Sequence, residues 1–401
     1  MEGYRHNTPP GAPLNVALLG STGTIGRLAL GIANRFPNKI RIVALSAGSN
    51  AELLAQQADA FGPATVSLAT SAAAEAFTDA VSGDWRGKIL AGSDAAEEIA
   101  ALPGVDVVIN GIVGAAGLGP SLAALRSDRR LALANKESLV MAGSLIRRIL
   151  KDHPSSQIFP VDSEHSAIAQ CLLDRDPAEI KRIILTASGG PFREFDTARL
   201  EAVTPAEALD HPTWQMGPRI TIDSATLFNK GMELIEAHWL FNIPMDQISV
   251  LVHPQSLVHG LIETVEGSLI AQISTPDMGL PIQLSLSYPE HWGPAVSSCN
   301  LASLGRLDFA EADEERFPAL TIARQAGQIG GVAPAVLNGA DEVLVSAFLA
   351  GKISFTAIAE GLAAALDQHH DLSDPTLEDI LASDAWAREA ASEFVSLHGM
   401  G

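Results

Sequence analysis

Short apolar runs alternate with helix-like patterns along the first 161 residues of the chain. The first run, Leu14–Leu19, has no polar alternation, which is typical of a strand buried in a parallel sheet. Similar runs, each followed by a helical pattern, occur at residues 41–45, 64–68, 88–91, 105–110, 130–134 and 157–161. This alternation predicts an α/β fold that begins with a Rossmann-type parallel sheet.

The pattern changes in the second half of the chain. Residues 183–187 and 220–223 are apolar runs that we predict to be strands. Three later runs alternate like antiparallel strands, at residues 249–252, 257–265 and 268–274. An α+β region is therefore predicted here, and a sheet of this kind with an apolar face often forms a dimer contact.

The last part of the chain is predicted to be a linker followed by helices. Residues 288–316 have no clear period and contain Pro289 and Pro294. From residue 317 onward, alanine-rich helical patterns are separated by polar breaks near residues 330–333, 351–353 and 369–375. These breaks predict a C-terminal bundle of three or four helices.

Composition narrows the class of protein. The chain has 401 residues, 47% of them hydrophobic and 18% charged, which is typical of a globular protein with a full core. Its net charge of −21 argues against nucleic acid or an anionic membrane surface as a partner. Residues 1–13 lack the apolar stretch of a signal peptide and read as a flexible tail. Cys171 and Cys299 lie far apart, which favours a reducing, cytoplasmic location without disulfides or a zinc site.

A glycine-rich turn follows the first strand. Gly20-Ser-Thr-Gly-Thr-Ile-Gly26 is a spacing variant of the dinucleotide fingerprint, although a tight strand–helix turn without a ligand is the alternative. The second strand ends in Ala47-Gly48-Ser49-Asn50, with no acid until Glu52, which modestly favours NADP over NAD. Gly111–Gly117 is a second glycine-rich turn that either approaches a cofactor or is simply flexible.

Three carboxylates are candidates for a metal site. Asp162 and Glu164 follow the strand at 157–161 and are two residues apart, so in an extended segment they would point the same way. Glu233 comes from a later helix. Three oxygen ligands without a thiolate suit Mg²⁺ or Mn²⁺. The alternative is that Asp162 caps a helix and Glu164 is a solvated acid of its first turn.

Polar groups that could hold an anion accompany these acids. Ser188-Gly-Gly follows a predicted strand and could cradle a phosphate, or form a plain turn. Asn229, Lys230 and Glu233 share one helix face, either as a surface ion pair or as an anion site beside a metal ligand. Asn135-Lys136-Glu137 opens a helix after a strand, where both ligand binding and ordinary capping are common.

Residues 211–217, His-Pro-Thr-Trp-Gln-Met-Gly, interrupt the pattern with large apolar side chains in a loop. The loop is either a lid that excludes water from a ligand or a segment pinned to the core by its tryptophan.

Together these motifs resemble the 1-deoxy-D-xylulose 5-phosphate reductoisomerase family. The resemblance spans nearly all of the chain from Leu14 and rests on an ordered set of short motifs, at residues 20–26, 134–140, 160–165, 187–192, 211–217, 223–233 and 253–256. It implies an NADPH-dependent oxidoreductase and isomerase of the non-mevalonate isoprenoid pathway. That enzyme would convert 1-deoxy-D-xylulose 5-phosphate (DXP) to 2-C-methyl-D-erythritol 4-phosphate.

The resemblance also implies residue roles. The metal, Mn²⁺ or Mg²⁺ with Co²⁺ as an alternative, would be held by Asp162, Glu164 and Glu233. The phosphate would be held by Ser188, Ser224, Asn229 and Lys230. The sugar would contact Lys136, Ser163 and His211, under a flap carrying Trp214 and Met216. The catalytic groups would be Lys136, Glu164, His211 and Glu233. The cofactor-binding site would be lined by Thr22, Gly23, Thr24, Ile25, Gly48, Ser49, Asn50, Asn135, Glu137 and Gly217.

Family members are homodimers with three domains. We therefore expect an NADPH-binding domain at 14–161, a catalytic and dimerisation domain at 162–287, a linker at 288–316 and a helical domain at 317–401. Two positions depart from many relatives: Ser49 replaces a basic residue near the expected 2′-phosphate, and Gly279 replaces an arginine.

Two other functions are alternatives to the reductoisomerase. A semialdehyde or homoserine dehydrogenase would share the cofactor turn, but the acylating type needs a reactive cysteine. A nucleotide-binding regulator would need the glycine turn but not three metal carboxylates.

Overall fold

The computed structural model describes residues 12–214 and 216–399, so residues 1–11 of the predicted tail lie outside the described residues. The chain divides into two compact units. The first unit holds residues up to Ser138, Ile146–Ser166 and Asp277–Val296. The second unit holds Leu139–Leu145, Ala167–Pro276 and the residues from Ser297 onward.

Within the described residues there are twelve strands: β1 (Leu14–Leu19), β2 (Ile40–Ala47), β3 (Thr65–Leu68), β4 (Lys88–Ala91), β5 (Val107–Asn110), β6 (Arg130–Leu133), β7 (Gln157–Pro160), β8 (Ile180–Ala187), β9 (Ile248–Val252), β10 (Val258–Thr264), β11 (Leu269–Ile273) and β12 (Ala310–Glu311).

The α-helices in the same part of the chain are α1 (Thr24–Arg35), α2 (Ala51–Phe61), α3 (Ser71–Ala80), α4 (Ala95–Ala100), α5 (Leu118–Arg126), α6 (Lys136–Asp152), α7 (Ser163–Cys171), α8 (Thr197–Leu200), α9 (Pro205–Leu209), α10 (Pro218–Ala225), α11 (Phe228–Phe241), α12 (Gly279–Ser287), α13 (Leu301–Leu304), α14 (Ala319–Ile329), α15 (Ala333–Leu349), α16 (Phe355–Gln368) and α17 (Leu377–His398). Short 3₁₀ turns occur at Ala115–Gly117, Pro177–Glu179 and Met245–Gln247.

The first unit contains a parallel sheet with the strand order β4-β3-β2-β1-β5-β6-β7. The order reverses between β1 and β5, which pair with each other from Val16 opposite Val107 to Leu19 opposite Asn110. Ligands of open α/β sheets bind outside the carboxyl ends of the strands at such a reversal. Both glycine-rich turns follow these two strands, so the sheet places them together at the expected ligand edge.

The second unit contains a mixed sheet with the order β11-β10-β8-β9-β12. Strand β8 pairs parallel to β9 and antiparallel to β10, from Gly260 opposite Leu185 to Thr264 opposite Ile180. One apolar core of this unit includes Ile183 and Leu185 of β8 and runs through α11 into the C-terminal helices. The end of β8 therefore delivers Ser188 from a well-anchored strand.

The C-terminal region, predicted to hold three or four helices, contains four, α14 to α17. Gly330 and Gly351 adopt positive φ angles of 72° and 69° directly after the turns that end α14 and α15. The Ser354 hydroxyl caps α16, and Thr376 with Asp379 forms a capping box at the start of α17. The polar breaks in the sequence are thus helix ends.

One strand prediction is wrong. Residues 220–223 belong to helix α10, which begins at Pro218. The run of Ile220, Thr221 and Ile222 favours a strand by propensity, but the fixed φ of proline at the first helical position favours a helix, and burial of Ile222 holds it there. The predicted linker also contains structure: Ala310–Glu311 pair with Leu251–Val252 at the edge of the mixed sheet.

The predicted fold class is confirmed: a parallel Rossmann-type sheet, a mixed α+β region and a C-terminal set of helices. Among the described helices, none combines the length and apolarity that a membrane span requires.

Candidate active site

The first glycine-rich turn is packed too tightly for side chains. Gly20 has a φ of +74°, and a Cβ there would lie 2.7 Å from the carbonyl oxygen of Gly111. A Cβ on Gly26 would lie 2.4 Å from the carbonyl oxygen of Gly20. Gly23 and Thr24, by contrast, are exposed at the start of α1, and Thr22 and Ile25 are half-buried beside them. The turn therefore presents the N-terminus of α1 to a ligand.

The residues that follow β2 are also exposed to solvent. Gly48, Ser49 and Asn50 are all exposed, and the Asn50 side chain caps α2 by accepting a hydrogen bond from the Leu53 amide at 3.2 Å. This leaves Ser49 facing solvent where the sequence predicts the cofactor ribose.

Asn135 and Glu137 hold the second glycine-rich turn. The Asn135 amide nitrogen donates to the carbonyl oxygens of Ile112 and Gly114, both at 2.9 Å, and to Glu137 Oε2 at 2.8 Å. Glu137 Oε1 accepts from the Gly114 amide at 3.1 Å. Both side chains are buried, so they fix the backbone of residues 111–117 at the sheet edge.

A third buried side chain, the amide of Asn110, bonds to the same turn and was not predicted. Its Nδ2 donates to the Gly117 carbonyl and to Ser121 Oγ, both at 2.8 Å, and its Oδ1 accepts from the Ile112 amide at 3.1 Å. The available signal was a polar residue as the last position of an otherwise apolar strand.

Asp162 makes two different kinds of contact. Its Oδ1 accepts from the Glu164 amide at 3.1 Å and lies 3.0 Å from His165 Nδ1. Its Oδ2 accepts from Lys136 Nζ at 2.8 Å. Asp162 thus caps α7 and also pairs with a buried lysine, while the hydroxyl of Ser163 donates to Glu164.

Our expectation that Asp162 and Glu164 are alternate positions of one strand is wrong. Strand β7 ends at Pro160, and Glu164 belongs to the first turn of α7. Asp162 ends the strand early because its side chain bonds to the helix amides. His165, fully buried against Asp162, is a site residue that the sequence analysis did not assign.

In the second unit, Glu233 is paired within its own helix. Lys230 Nζ donates to Glu233 Oε2, and Asn229 Nδ2 donates to Glu233 Oε1 at 2.7 Å. Lys230 and Glu233 are only 3% and 1% exposed, so the surface ion pair considered above is excluded. A buried pair of this kind needs a structural or functional reason.

The predicted phosphate residues Ser188 and Ser224 are brought together. Gly189 and Gly190 both have positive φ angles, and a Cβ on Gly190 would lie 2.9 Å from the Ser224 carbonyl oxygen and 3.0 Å from Ala225 Cα. Only glycine lets the Ser188 turn approach the end of α10 this closely.

His211 is held in one tautomer. Its Nδ1 accepts from the amides of Trp214 at 2.9 Å and Thr213 at 3.2 Å, so Nδ1 carries no proton. The proton is then on Nε2, which lies 3.0 Å from Ser188 Oγ. Ser188 Oγ accepts from His211 and from the Gly190 amide, so its own hydrogen points elsewhere, available to an anion. Burial lowers the pKa of His211 below its ordinary value of 6.5.

The loop after His211 rests on the mixed sheet. The rings of Trp214 and His259 meet edge-on with their centroids 6.3 Å apart, and Trp214 and Met216 are half-buried. Gly217 precedes the first turn of α10 in an extended conformation. This is the contact expected for a loop pinned by its tryptophan, and closure over a ligand stays a prediction.

Gly279 is the first residue of α12, and its amide donates to Asp277 Oδ1 at 2.7 Å.

Known families match most of the chain. A model of the 1-deoxy-D-xylulose 5-phosphate reductoisomerase family matches residues 16–143. Two models of its C-terminal domains match residues 158–241 and 273–390. The reductoisomerase of Moorella thermoacetica is 50% identical over 94% of this chain and 97% of its own. That of Desulforamulus reducens is 47% identical over 95% and 98%.

The chain belongs to the 1-deoxy-D-xylulose 5-phosphate reductoisomerase family.

Solved reductoisomerases share its structure. The enzyme of Zymomonas mobilis in complex with NADPH is 41% identical, with a TM-score of 0.89, and the match covers 96% of this chain and 99% of that one. A second reductoisomerase, in complex with NADPH, fosmidomycin and magnesium, is 41% identical with a TM-score of 0.90 over 96% and 98%.

The His211 geometry gives a testable consequence for this reductoisomerase. Long-range ¹H–¹⁵N spectra should show His211 as the Nε2–H tautomer, titrating below pH 6.5. Because the folded-state pKa is lowered, the neutral ring stabilises the fold fully above pH 6.5, and that contribution is lost as the pH falls through the lowered pKa.

The spectrum of His211→Gln assigns the resonance. Titration of His211 at or above the ordinary value, or a proton on Nδ1, would show that the backbone amides of Thr213 and Trp214 do not hold the ring.

Proposed function

We propose that the chain converts 1-deoxy-D-xylulose 5-phosphate to 2-C-methyl-D-erythritol 4-phosphate with NADPH and a divalent cation, using the residues described above. The observation that carries this proposal is identity of 47% to 50% with curated reductoisomerases over at least 94% of the chain. Solved relatives bound to NADPH and magnesium support the same cofactors here.

Asp162, Glu164 and Glu233 would hold the cation. Their donor atoms are all carboxylate oxygens, which Mg²⁺ and Mn²⁺ prefer. Asp162 lies beside the ammonium of Lys136, and Glu233 lies beside that of Lys230, so each acid already has a positive charge next to it. The chemistry of this donor set therefore fits the metal.

Ser188, Ser224, Asn229 and Lys230 would hold the substrate phosphate. Ser188 has its hydroxyl hydrogen available, and Lys230 supplies a buried positive charge. Both residues belong to the second unit, and Ser188 is followed by two glycines with positive φ angles. Because the phosphate is remote from the reacting carbons, its binding energy can orient the sugar.

NADPH would lie along the two glycine-rich turns, against Thr22, Gly23, Thr24 and Ile25 on one side. Gly48, Ser49 and Asn50 would face its ribose, and Asn135 and Glu137 would act by holding residues 111–117 in place. Gly217 would approach it from the start of α10.

The residues suggest how the reaction is supported. When bound, the cation supplies Lewis-acid polarisation of the substrate carbonyl and NADPH supplies hydride. Lys136 Nζ, buried beside Asp162, can donate a proton or hydrogen bond to a substrate oxygen. His211, neutral and protonated on Nε2, acts as a hydrogen-bond donor, with Ser163 as a further sugar contact. Trp214 and Met216 would exclude water. Both a ketol shift and fragmentation with recombination fit these groups.

An acylating dehydrogenase does not fit. Burial raises the pKa of the Cys171 thiol to about 11, so the thiolate needed as nucleophile is not formed near neutral pH. The non-catalytic regulator would leave the half-buried Glu164 of α7 and the buried Glu233 of α11 without a use.

We also propose that the chain is a cytoplasmic homodimer. Support comes from the edge strand β11 and its turn, where Val265, Leu269 and Ile273 are 57%, 59% and 37% exposed. Two cysteines that form no disulfide within the described residues suit a reducing compartment. Sedimentation as a monomer would rule out the dimer. The functional domains at 14–161, 162–287 and 317–401, with the linker at 288–316, remain part of this proposal.

The function is tested by NADPH oxidation with DXP, in the presence of Mn²⁺ or after its removal by a chelator. We expect turnover only with the metal, and a loss of about 100-fold or more in kcat/KM for Asp162→Asn, because the variant removes one ligand charge. The control Asp367→Asn, on an exposed face of α16, should match the wild type. Metal-independent oxidation, or none at all, would contradict the proposed reaction.

A second test concerns the phosphate. Lys230→Ala should raise the KM for DXP by about 10- to 100-fold and leave the KM for NADPH unchanged, since a charge-assisted hydrogen bond contributes about 1.5–3 kcal/mol. Steady-state kinetics measure both constants. Lys352→Ala, an exposed lysine of the same unit, is the matched control. A normal KM for DXP in Lys230→Ala would refute the phosphate assignment.

A further inference from the structure

Arg219 lies at the centre of a buried charge cluster in the second unit. It is the second residue of α10, and its guanidinium uses all three nitrogen atoms. Nε and Nη2 donate to Asp341 Oδ2 at 3.1 and 3.0 Å. Nη1 donates to Glu342 Oε1 at 2.9 Å, and Nη2 also donates to Asn338 Oδ1 at 3.0 Å.

The acceptors are parts of the C-terminal helices rather than of the site itself. Asn338, Asp341 and Glu342 form one face of α15, and the first two are fully buried. The cluster extends to α17, where Arg388 pairs with Glu342 at 2.8 Å and with Asp384 at 2.7 Å. Two arginines therefore bind the same helix, α15, but from different helices.

Helix α10 connects two groups of predicted substrate residues. It begins directly after the loop of His211 and Trp214 and ends at Ser224 and Ala225. Ser224 lies five residues beyond Arg219, about 7.5 Å along a rigid helix. A displacement of the start of α10 therefore moves Ser224 by nearly the same amount.

The end of α10 is packed closely against the turn that follows Ser188. The backbone of Ser224 and Ala225 already fills the space that a Cβ on Gly190 would need. Leu227, directly after the helix, is in the left-handed region with a φ of +61°, a conformation that costs about 1–2 kcal/mol for a residue other than glycine. Contacts elsewhere must hold this connection in place.

We propose that Arg219 is a positioning residue for the substrate phosphate. By fixing α10 on α15, it sets the distance between Ser224 and the Ser188 turn, and so links the C-terminal helices to substrate affinity. The identity of the substrate in this inference rests on the proposed function. The presence of an anion site does not depend on that function. A planar guanidinium presents its donors in a fixed fork that reaches Asn338, Asp341 and Glu342 at once, whereas a lysine ammonium is a point charge on a flexible stem and cannot reproduce that geometry.

The test compares Arg219→Lys with Arg388→Lys, which breaks the equivalent link from α17 to α15 without touching α10. We expect Arg219→Lys to raise the KM for DXP and weaken the binding of inorganic phosphate, measured by calorimetry, each by roughly 10- to 100-fold. The KM for NADPH should not change. Arg388→Lys should lower the unfolding temperature similarly but leave both phosphate readouts at wild-type values.

Two outcomes would overturn the proposal. In the first, Arg219→Lys loses stability while its affinities for DXP and phosphate stay normal. In the second, Arg388→Lys weakens DXP and phosphate binding as much as Arg219→Lys does. Either result would show that the cluster has a structural role only. If Arg219→Lys does not fold, Glu342→Gln decides, because it removes the negative charge of one partly exposed partner of Arg219. A smaller rise in the KM for DXP then supports the proposal, and an unchanged KM refutes it.

Failure of the proposed function is separable from this result. A wild-type protein that does not oxidise NADPH with DXP would refute the reaction, yet phosphate calorimetry on the same variants would still report whether Arg219 positions an anion site.

Discussion

The structure depends above all on how buried negative charge is balanced. Asp162 is paired with Lys136 at 2.8 Å, and Glu233 is paired with Lys230 in the same turn of α11. An ion buried without a partner costs several kcal/mol, so neither acid could be held in its place alone. Lys136 and Lys230 thus place a positive charge beside two of the three carboxylates that we propose as cation ligands.

Backbone packing determines where these charges lie. In the first unit, β1 and β5 are neighbours at the reversal of strand order, and Gly20 is pressed against Gly111 there. In the second unit, the glycines after Ser188 allow β8 to meet the end of α10. Buried amides, Asn110 and Asn135, then fix the remaining turn. Each functional group is thus attached to a rigid element through a contact that excludes larger residues.

Much of this could be predicted from the chain alone. Period-two and continuous apolar runs predicted β1 to β11 to within a few residues, because burial on one or both faces dictates that pattern, whereas the two-residue strand β12 in the predicted linker was missed. The strand prediction at residues 220–223 was wrong because β-branched residues there are recruited into a helix that starts at Pro218. Local propensity was outweighed by a backbone constraint two residues earlier.

The site residues were harder to predict than the strands. Motif resemblance predicts Asn135 and Glu137 as cofactor contacts, but it does not predict that both side chains also bond to the glycine-rich turn. The tautomer of His211 depends on two amides of a loop without a period, and Arg219 acts through residues more than a hundred positions away. The first depends on the local backbone of a loop and the second on tertiary contacts, and no spacing in the sequence encodes either.

Anomalous diffraction from crystals grown with Mn²⁺ tests most directly whether Asp162, Glu164 and Glu233 bind one divalent ion, as we propose. We expect a single strong peak with oxygens of all three side chains at about 2.1 Å, close to the ideal distance for a small hard cation. A peak bound by other residues, or one that none of these three carboxylates contacts, would contradict it.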